Sequence, residues 1–172
     1  LGIGGKMGLT LGAMAVRAIR EAGVAKRVIG VSRFSDSSAR EWLEKHGVET
    51  VRCDLLDPGE VAALPGAANI IYMVGRKFGT AGSEPVTWAI NTVVPAGVCR
   101  RFAGSRMVVF STGCVYPLAD ARGPGCNESA AAAPVGEYAQ ACLGRERVFE
   151  YYSEAAQVPT LLFRLNYAID LR

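Results

Sequence analysis

The sequence predicts a doubly wound α/β fold, a parallel sheet with helices on both faces. Three observations carry that expectation. Strand-length apolar runs alternate with helix-length segments along the chain. Those runs are continuous rather than alternating, as in strands buried on both sides. A glycine-rich turn at the start leads directly into a helix pattern, the arrangement that opens a doubly wound sheet. Right-handed crossovers then connect the strands.

Each element follows in order. Leu9 to Glu21 reads as a helix, with Leu9, Ala13, Val16 and Ile19 near helical spacing and Gly23 closing it. Arg27 to Ser32 is a strand, and Ser37 to His46 a polar helix opened by a serine cap and ended by Gly47. Glu49 to Cys53 is a strand, and Asp57 to Leu64 a short helix with a proline at its start. Asn69 to Val74 is a strand, followed by a long helix from Pro85 to Phe102 that Pro95 should kink or interrupt. Arg106 to Ser111 is a further buried strand, and 117–134 a long loop with a functional role or disorder. Glu137 to Ala156 is the strongest helix, and Thr160 to Leu165 the last strand.

The 172 residues suit one domain, 50% hydrophobic content argues against disorder, and neither an internal repeat nor a domain boundary is visible. Nineteen Lys and Arg against 16 Asp and Glu leave a net charge of +3, with no basic stretch interleaved with aromatics, so nucleic acid is not expected as a partner. The longest uncharged stretches carry Gly, Pro or Asn, which argues against a membrane span. The run Met7 to Val16 is interrupted by glycine and followed at once by Arg17 and Arg20, unlike a signal peptide. Cys53, Cys99, Cys114, Cys126 and Cys142 form an odd, scattered set without C-x-x-C, which suggests reduced thiols and the cytoplasm. The single histidine, His46, stands too far from them in sequence to suggest zinc, and no metal is expected. Both ends look cut: the chain begins on LGIGG without a complete first strand and stops soon after a strand. The expectation is a single domain over 1–172 that is a fragment of a longer protein.

Gly2, Gly5 and Gly8 are spaced G-x-x-G-x-x-G and run into the first helix. Such glycines let backbone N–H groups approach a pyrophosphate at a helix N-terminus, where the dipole favours negative charge. By itself the motif is equally well a purely structural turn; its place at the head of an α/β alternation favours a cofactor. Ser32 and Arg33 follow the next strand, with no acid before Asp36. A 2′-phosphate prefers Arg there and a free ribose prefers an acid, so NADP is favoured over NAD. Asp54 would either receive an adenine amino group or cap a turn, and both readings stand.

Taken together, GIGGKMG at 2–8, CDLLD at 53–57, Asn91, FSTGCVYP at 110–117, Asn127-Glu128, Pro134, Tyr138 and FRLNY at 163–167 occur in an order and spacing that resemble the extended short-chain dehydrogenase/reductase family, the NAD-dependent epimerases and dehydratases. The resemblance runs over essentially the whole chain and implies a Rossmann-like cofactor half. On matching positions it implies Gly2, Gly5, Lys6, Met7, Gly8, Ser32, Arg33, Asp54, Leu55, Gly75, Asn91, Ser111, Tyr138 and Cys142 around the cofactor. It also implies that Thr112 hydrogen-bonds a substrate oxygen while Tyr138 serves as general acid/base.

The family pattern Tyr-x-x-x-Lys is broken here, since Tyr138 is followed by Cys142. A lysine one turn on would lower the tyrosine pKa and hold ribose hydroxyls; a cysteine brings no positive charge and leaves the phenol protonated at neutral pH. Arg145, seven residues along, is either a substitute leaning back over about 10 Å of helix or a surface residue paired with a nearby Glu, the commoner case. Cys142 reads as a buried thiol in a lost lysine's place rather than a nucleophile. Gly113 and Cys114 stand where dehydratases of the family carry an acidic pair, which disfavours dehydration by that route. The function expected is thus NAD(P)-dependent redox at a carbonyl or alcohol carbon, on a sugar nucleotide or related substrate. A small-carbonyl reductase and a non-catalytic NAD(P)-binding sensor or scaffold are the alternatives. The resemblance also implies a homodimer through the helices at 85–102 and 137–156.

Overall fold

Local capping and packing determine where the helices and strands begin and end in this computed structural model, which describes residues 1–76 and 81–166. The described residues fall into two compact units, Leu1–Pro65 and 66–166. Tyr167, the last residue of the FRLNY match, lies outside the described residues.

In the first unit, α1 (Gly8–Glu21) is followed by β1 (Ile29–Ser32), α2 (Ser37–Lys45), β2 (Glu49–Arg52) and α3 (Pro58–Ala63). The two strands pair in parallel, Ile29 opposite Glu49 through Ser32 opposite Arg52. Gly47 ends α2 at φ +83°, a left-handed conformation that glycine adopts without a Cβ penalty. The cap that opens α2 differs from the serine expected. Asp36 sits in extended backbone, and its carboxylate accepts from the Ser38 amide at 2.9 Å and the Ser38 hydroxyl at 2.6 Å. A charged acceptor at a helix N-terminus answers both the orphan N–H and the dipole. Asp57 does the same for α3, accepting from Gly59 and Glu60 ahead of Pro58.

The second unit is a parallel sheet in the order β3 (Asn69–Tyr72), β4 (Arg106–Thr112), β5 (Thr160–Leu165). Between β3 and β4 the expected long helix is three consecutive pieces: α4 (Glu84–Trp88), a π-helical turn (Ala89–Val93) and α5 (Val94–Arg101). Pro95 lies in the first turn of α5, where its missing N–H costs least, and the wider turn ahead of it absorbs the interruption. A 3₁₀ turn (Gly113–Val115) closes β4, and α6 (Glu137–Ala155) packs on β4, β5 and the α4–α5 segment. Its buried side contains Ala141, Cys142 and Phe149, with the Phe149 ring edge-on to Tyr72 at 5.0 Å. Gly144 brings α6 close to the π-helical turn, since a Cβ there would lie 3.1 Å from Thr92. The opposite side of the sheet shows Leu161 and Phe163, exposed by 61% and 49%.

Candidate functional site

The residues singled out by the sequence fall into two groups, one in each unit. In the first unit the glycine loop is shaped by Ile3, a buried side chain wedged against two backbones. A Cβ at Gly12 or at Gly30 would stand 2.9 Å from its Cδ1. The loop is pinned to β1 by Gly2 and Ile3 amides donating to the Val31 carbonyl, and Gly2 has φ +80°. At Gly8 a Cβ would come within 2.0 Å of the Ile3 carbonyl oxygen, so only glycine fits where the loop becomes α1. At Gly5 the nearest atom, the Gly2 oxygen, is an ordinary 3.5 Å away. The fold therefore requires Gly8 but leaves Gly5 free for another purpose.

The helix that Lys6 and Met7 lead into has no side-chain cap and no acidic residue in its first turn. A helix N-terminus without a side-chain cap is of the kind that can receive an anion. Ser32 stands over the loop, its hydroxyl 2.6 Å from where a Gly4 Cβ would be. Arg33 follows, exposed, while the Asp36 carboxylate is spent on α2. Asp54 and Leu55 follow β2 at the same carboxyl edge, linked through the Cys53 amide to the Ser32 carbonyl at 3.0 Å. Asp54 accepts from the Leu56 amide at 3.0 Å, the turn-capping arrangement.

In the second unit, the ends of β3 and β4 and the first turns of α6 bring together Gly75, Asn91, Thr112, Tyr138 and Cys142. Thr112 ends β4 and accepts from the Cys114 amide at 3.2 Å. The Tyr138 hydroxyl lies beside both Thr112 and Cys142, and both act on its ionisation. Burial and the neighbouring thiol hold the phenol above its ordinary value, against a smaller opposing pull from Arg145 and Thr112. Cys142 is fully buried and its thiol is likewise raised, chiefly by desolvation. Asn91 is fully buried in the π-helical turn, and among the described residues its Nδ2 has no partner.

Arg145 is not the surface residue that was the commoner expectation. It is 4% exposed, and its Nη1 donates to the Val74 carbonyl at 2.9 Å and to Asn91 Oδ1 at 3.2 Å. The packing of α6 against the π-helical turn draws it inward, which spacing along one helix cannot reveal. Gly75 gives the guanidinium its room, since a Cβ there would stand 2.7 Å from Nη1.

Sequence reasoning missed a second network one residue along. Glu146, fully buried, accepts from Ser111 and from Arg164 at 2.8–3.3 Å, and the Arg164 guanidinium lies 4.8 Å over the Tyr116 ring. Ser111, Glu146 and Arg164 join β4, α6 and β5, Ser111 being the residue before Thr112. Gly113 has a related cause: a Cβ there would collide with Asn166, 1.7 Å from its Oδ1. The FRLN run carries both Arg164 and Asn166, and a buried Glu eight residues after Tyr138 was the signal available.

Parallel strands, a glycine turn at a helix N-terminus and a Thr–Tyr pair at a strand end define a Rossmann-like dinucleotide-binding protein. Residues 5–168 match the model of the NAD dependent epimerase/dehydratase family, and the chain belongs to that family. Solved structures share the fold. DesIV, a dTDP-glucose 4,6-dehydratase from Streptomyces venezuelae with NAD and TYD bound, is 20% identical with a TM-score of 0.82, over 95% of this chain and 53% of that one. The UDP-Glc/GlcNAc 4-epimerase from Campylobacter jejuni is 19% identical with a TM-score of 0.77, over 95% and 51%. The UDP-glucuronic acid 4-epimerase from Bacillus cereus, in complex with UDP-glucuronic acid and NAD, is 14% identical with a TM-score of 0.71, over 94% and 53%. The chain thus spans about half the length of these structures. No curated protein sequence matches it. Among the described residues there is no helix long and apolar enough to cross a membrane and no His, Cys, Asp and Glu cluster suited to a metal.

Proposed function

We propose that residues 1–172 form the cofactor-binding part of an NAD(P)-dependent oxidoreductase of the epimerase/dehydratase type. It would act on a carbonyl or alcohol carbon of a sugar nucleotide or related molecule. The observation that carries this reading is the Tyr138 hydroxyl standing beside Thr112 at the carboxyl end of β4. The uncapped N-terminus of α1 and the Cβ-intolerant turn at Gly8 fit a dinucleotide pyrophosphate. Bound cofactor supplies the hydride acceptor or donor. Gly2, Gly5, Lys6, Met7 and Gly8 would hold its pyrophosphate, Ser32 and Arg33 its ribose end, and Asp54 and Leu55 its adenine. Gly75, Asn91, Ser111, Tyr138 and Cys142 would face its nicotinamide half.

Thr112 would donate to the substrate oxygen and fix its position. Tyr138, protonated at neutral pH, would give its proton to that oxygen as the carbon gains hydride. In the reverse direction the phenolate would take the alcohol proton, and the raised phenol makes that direction the harder one. Arg33 together with the spent Asp36 favours NADP. A cytoplasmic homodimer through α4–α5 and α6 belongs to the same proposal, with the exposed Val93 and Tyr151 available for such a face.

The test is turnover of UDP- and dTDP-sugars and of small carbonyl compounds with NADPH and NADH. Tyr138→Phe should remove the activity and leave cofactor binding intact. A rate untouched by Tyr138→Phe refutes the assignment. A second reading, a sensor or scaffold that binds cofactor without turnover, is favoured by Cys142 in place of lysine. Tight cofactor binding with no turnover on any of these substrates would select it.

A further inference from the structure

Arg145 and Glu146 are neighbours in sequence with opposite fates. Glu146 is buried and neutralised by Arg164. Arg145 is buried, and its acceptors among the described residues are neutral, the Val74 carbonyl and Asn91. Among the described residues no carboxylate forms an ion pair with it, and its Nε has no partner at all. An ion withdrawn from water is normally given a counter-charge, because an unpaired one is costly to bury. Here the fold goes out of its way to keep the charge unpaired. Gly75 leaves room for the guanidinium, the π-helical turn presents Asn91 to it, and α6 carries it inward two turns beyond Tyr138.

The groups around this charge are weakly acidic and uncharged at neutral pH. Tyr138 and Cys142 face it from α6 itself. Tyr72 faces it from β3, with Cys99 of α5 behind, a thiol that burial pushes up to about 12. Cys114, after β4, is the further thiol near Cys142, and Glu146 is already balanced by Arg164. Among the described residues nothing pairs with the positive charge of Arg145, and it acts on Tyr138 and Cys142 in the direction of ionisation.

We propose that Arg145 is the cation of this site, a positioning residue that Val74 and Asn91 hold in place and that gives Tyr138 the electrostatic support a lysine at position 142 would otherwise give. The proposal rests on the reading of Tyr138 as the acid/base. Its free Nε, with the free Nδ2 of Asn91, leaves two buried donors available for oxygen atoms of a bound ligand.

The test needs neither substrate nor cofactor. A trifluorotyrosine at position 138, whose phenol ionises well below that of tyrosine, reports its own titration by ¹⁹F NMR. Arg145→Met should move the midpoint up by about one pH unit, the lower end of what a nearby charge does. Arg145→Lys should hold it within about half of that shift. Gly75→Ala, which crowds the guanidinium without deleting it, should move the midpoint in the same direction as Arg145→Met. Arg145→Gln replaces the methionine variant if the latter fails to fold. A midpoint unmoved in folded Arg145→Met or Arg145→Gln overturns the proposal, as does an equal shift in Arg145→Lys, which would make Arg145 a structural pin only. Absence of turnover in the parent protein bears on the functional reading separately, because this titration does not depend on it.

Discussion

Gly5 and Gly8 belong to one motif, yet the structure separates their roles, and substitution should separate them too. A Cβ at Gly8 meets three backbone atoms of Ile3 at 2.0, 2.5 and 2.6 Å. Backbone cannot rotate aside as a side chain does, so Gly8→Ala must displace the whole Gly2–Gly8 turn. Alanine in a helix normally gains about 1 kcal/mol over glycine, but an overpacked site costs about 1–3 kcal/mol and sometimes more. Three backbone atoms this close put the cost at the upper end, about 3 kcal/mol, so the clash wins by about 2 kcal/mol, or about 4–8 °C in Tm for a chain of this size. Gly5 has no positive φ, and its Cβ would find nothing nearer than 3.5 Å. Gly5→Val should therefore leave Tm within about 2 °C, the range of surface substitutions, while the added side chain obstructs the approach of a pyrophosphate. Thermal unfolding and calorimetric titration with NADP and NAD, run on both variants, separate the effects. An unchanged Tm in Gly8→Ala would refute the steric argument. Unchanged cofactor affinity in Gly5→Val would place the pyrophosphate elsewhere.

Other outcomes follow from single contacts. Arg33→Ala should cut the preference for NADP over NAD by about 1.5 kcal/mol, the low end for a charge-assisted bond because Arg33 is exposed; equal affinities in the parent protein would sink the idea. Phe149→Ala removes a fully buried ring packed edge-on to Tyr72 and should cost about 3–5 kcal/mol in urea unfolding. Tyr72→Phe removes a buried hydroxyl that has no partner, so stability at pH 7 should hold or rise by about 1 kcal/mol. The Tyr72 phenol is raised by burial, so its contribution is fully present below about pH 10, where the unfolded phenol ionises, and is lost above it. The alkaline fall in Tm should accordingly be shallower in Tyr72→Phe, and equal slopes would show that Tyr72 does not set it.

What the sequence revealed and what it hid divide along a physical line. Patterns set by neighbours in sequence were legible: the apolar strands, the glycine turn and the helix carrying Tyr138 four residues before Cys142. Thr112 stands in the FSTGCVYP match on which the resemblance rests, and it lies beside Tyr138. Contacts made by tertiary packing were not legible. Arg145 looked like a surface residue because its partners, Val74 and Asn91, lie 71 and 54 residues away. Glu146 and Arg164 are joined only once β5 lies beside β4. The cap of α2 was missed for a local reason: serine and aspartate compete for the same amide, and the charged side chain one residue earlier wins.

The buried guanidinium also changes what a lysine at position 142 would do. From sequence alone, Cys142→Lys restores a missing charge. In the structure it adds a second cation to a fully buried position three residues from Arg145, where side chains on a helix stand about 5–6 Å apart. Two like charges about 6 Å apart repel by about 3 kcal/mol at an effective dielectric constant of 20, and the larger side chain must also find room. Cys142→Lys should thus be destabilised by about 3 kcal/mol at pH 7, its ammonium pKa depressed below that of an exposed lysine. The repulsion is relieved as pH rises through that depressed value and the lysine loses its proton. Removing Arg145 should relieve it as well: Arg145→Met combined with Cys142→Lys should be more stable than the sum of the single losses, with a coupling of about 2–3 kcal/mol that shrinks on going from pH 7 to pH 10. Urea unfolding of the four proteins at both pH values measures that cycle. Additive losses would mean that the two positions do not share one electrostatic site, and a fully stable Cys142→Lys would mean that the pocket tolerates both charges at once.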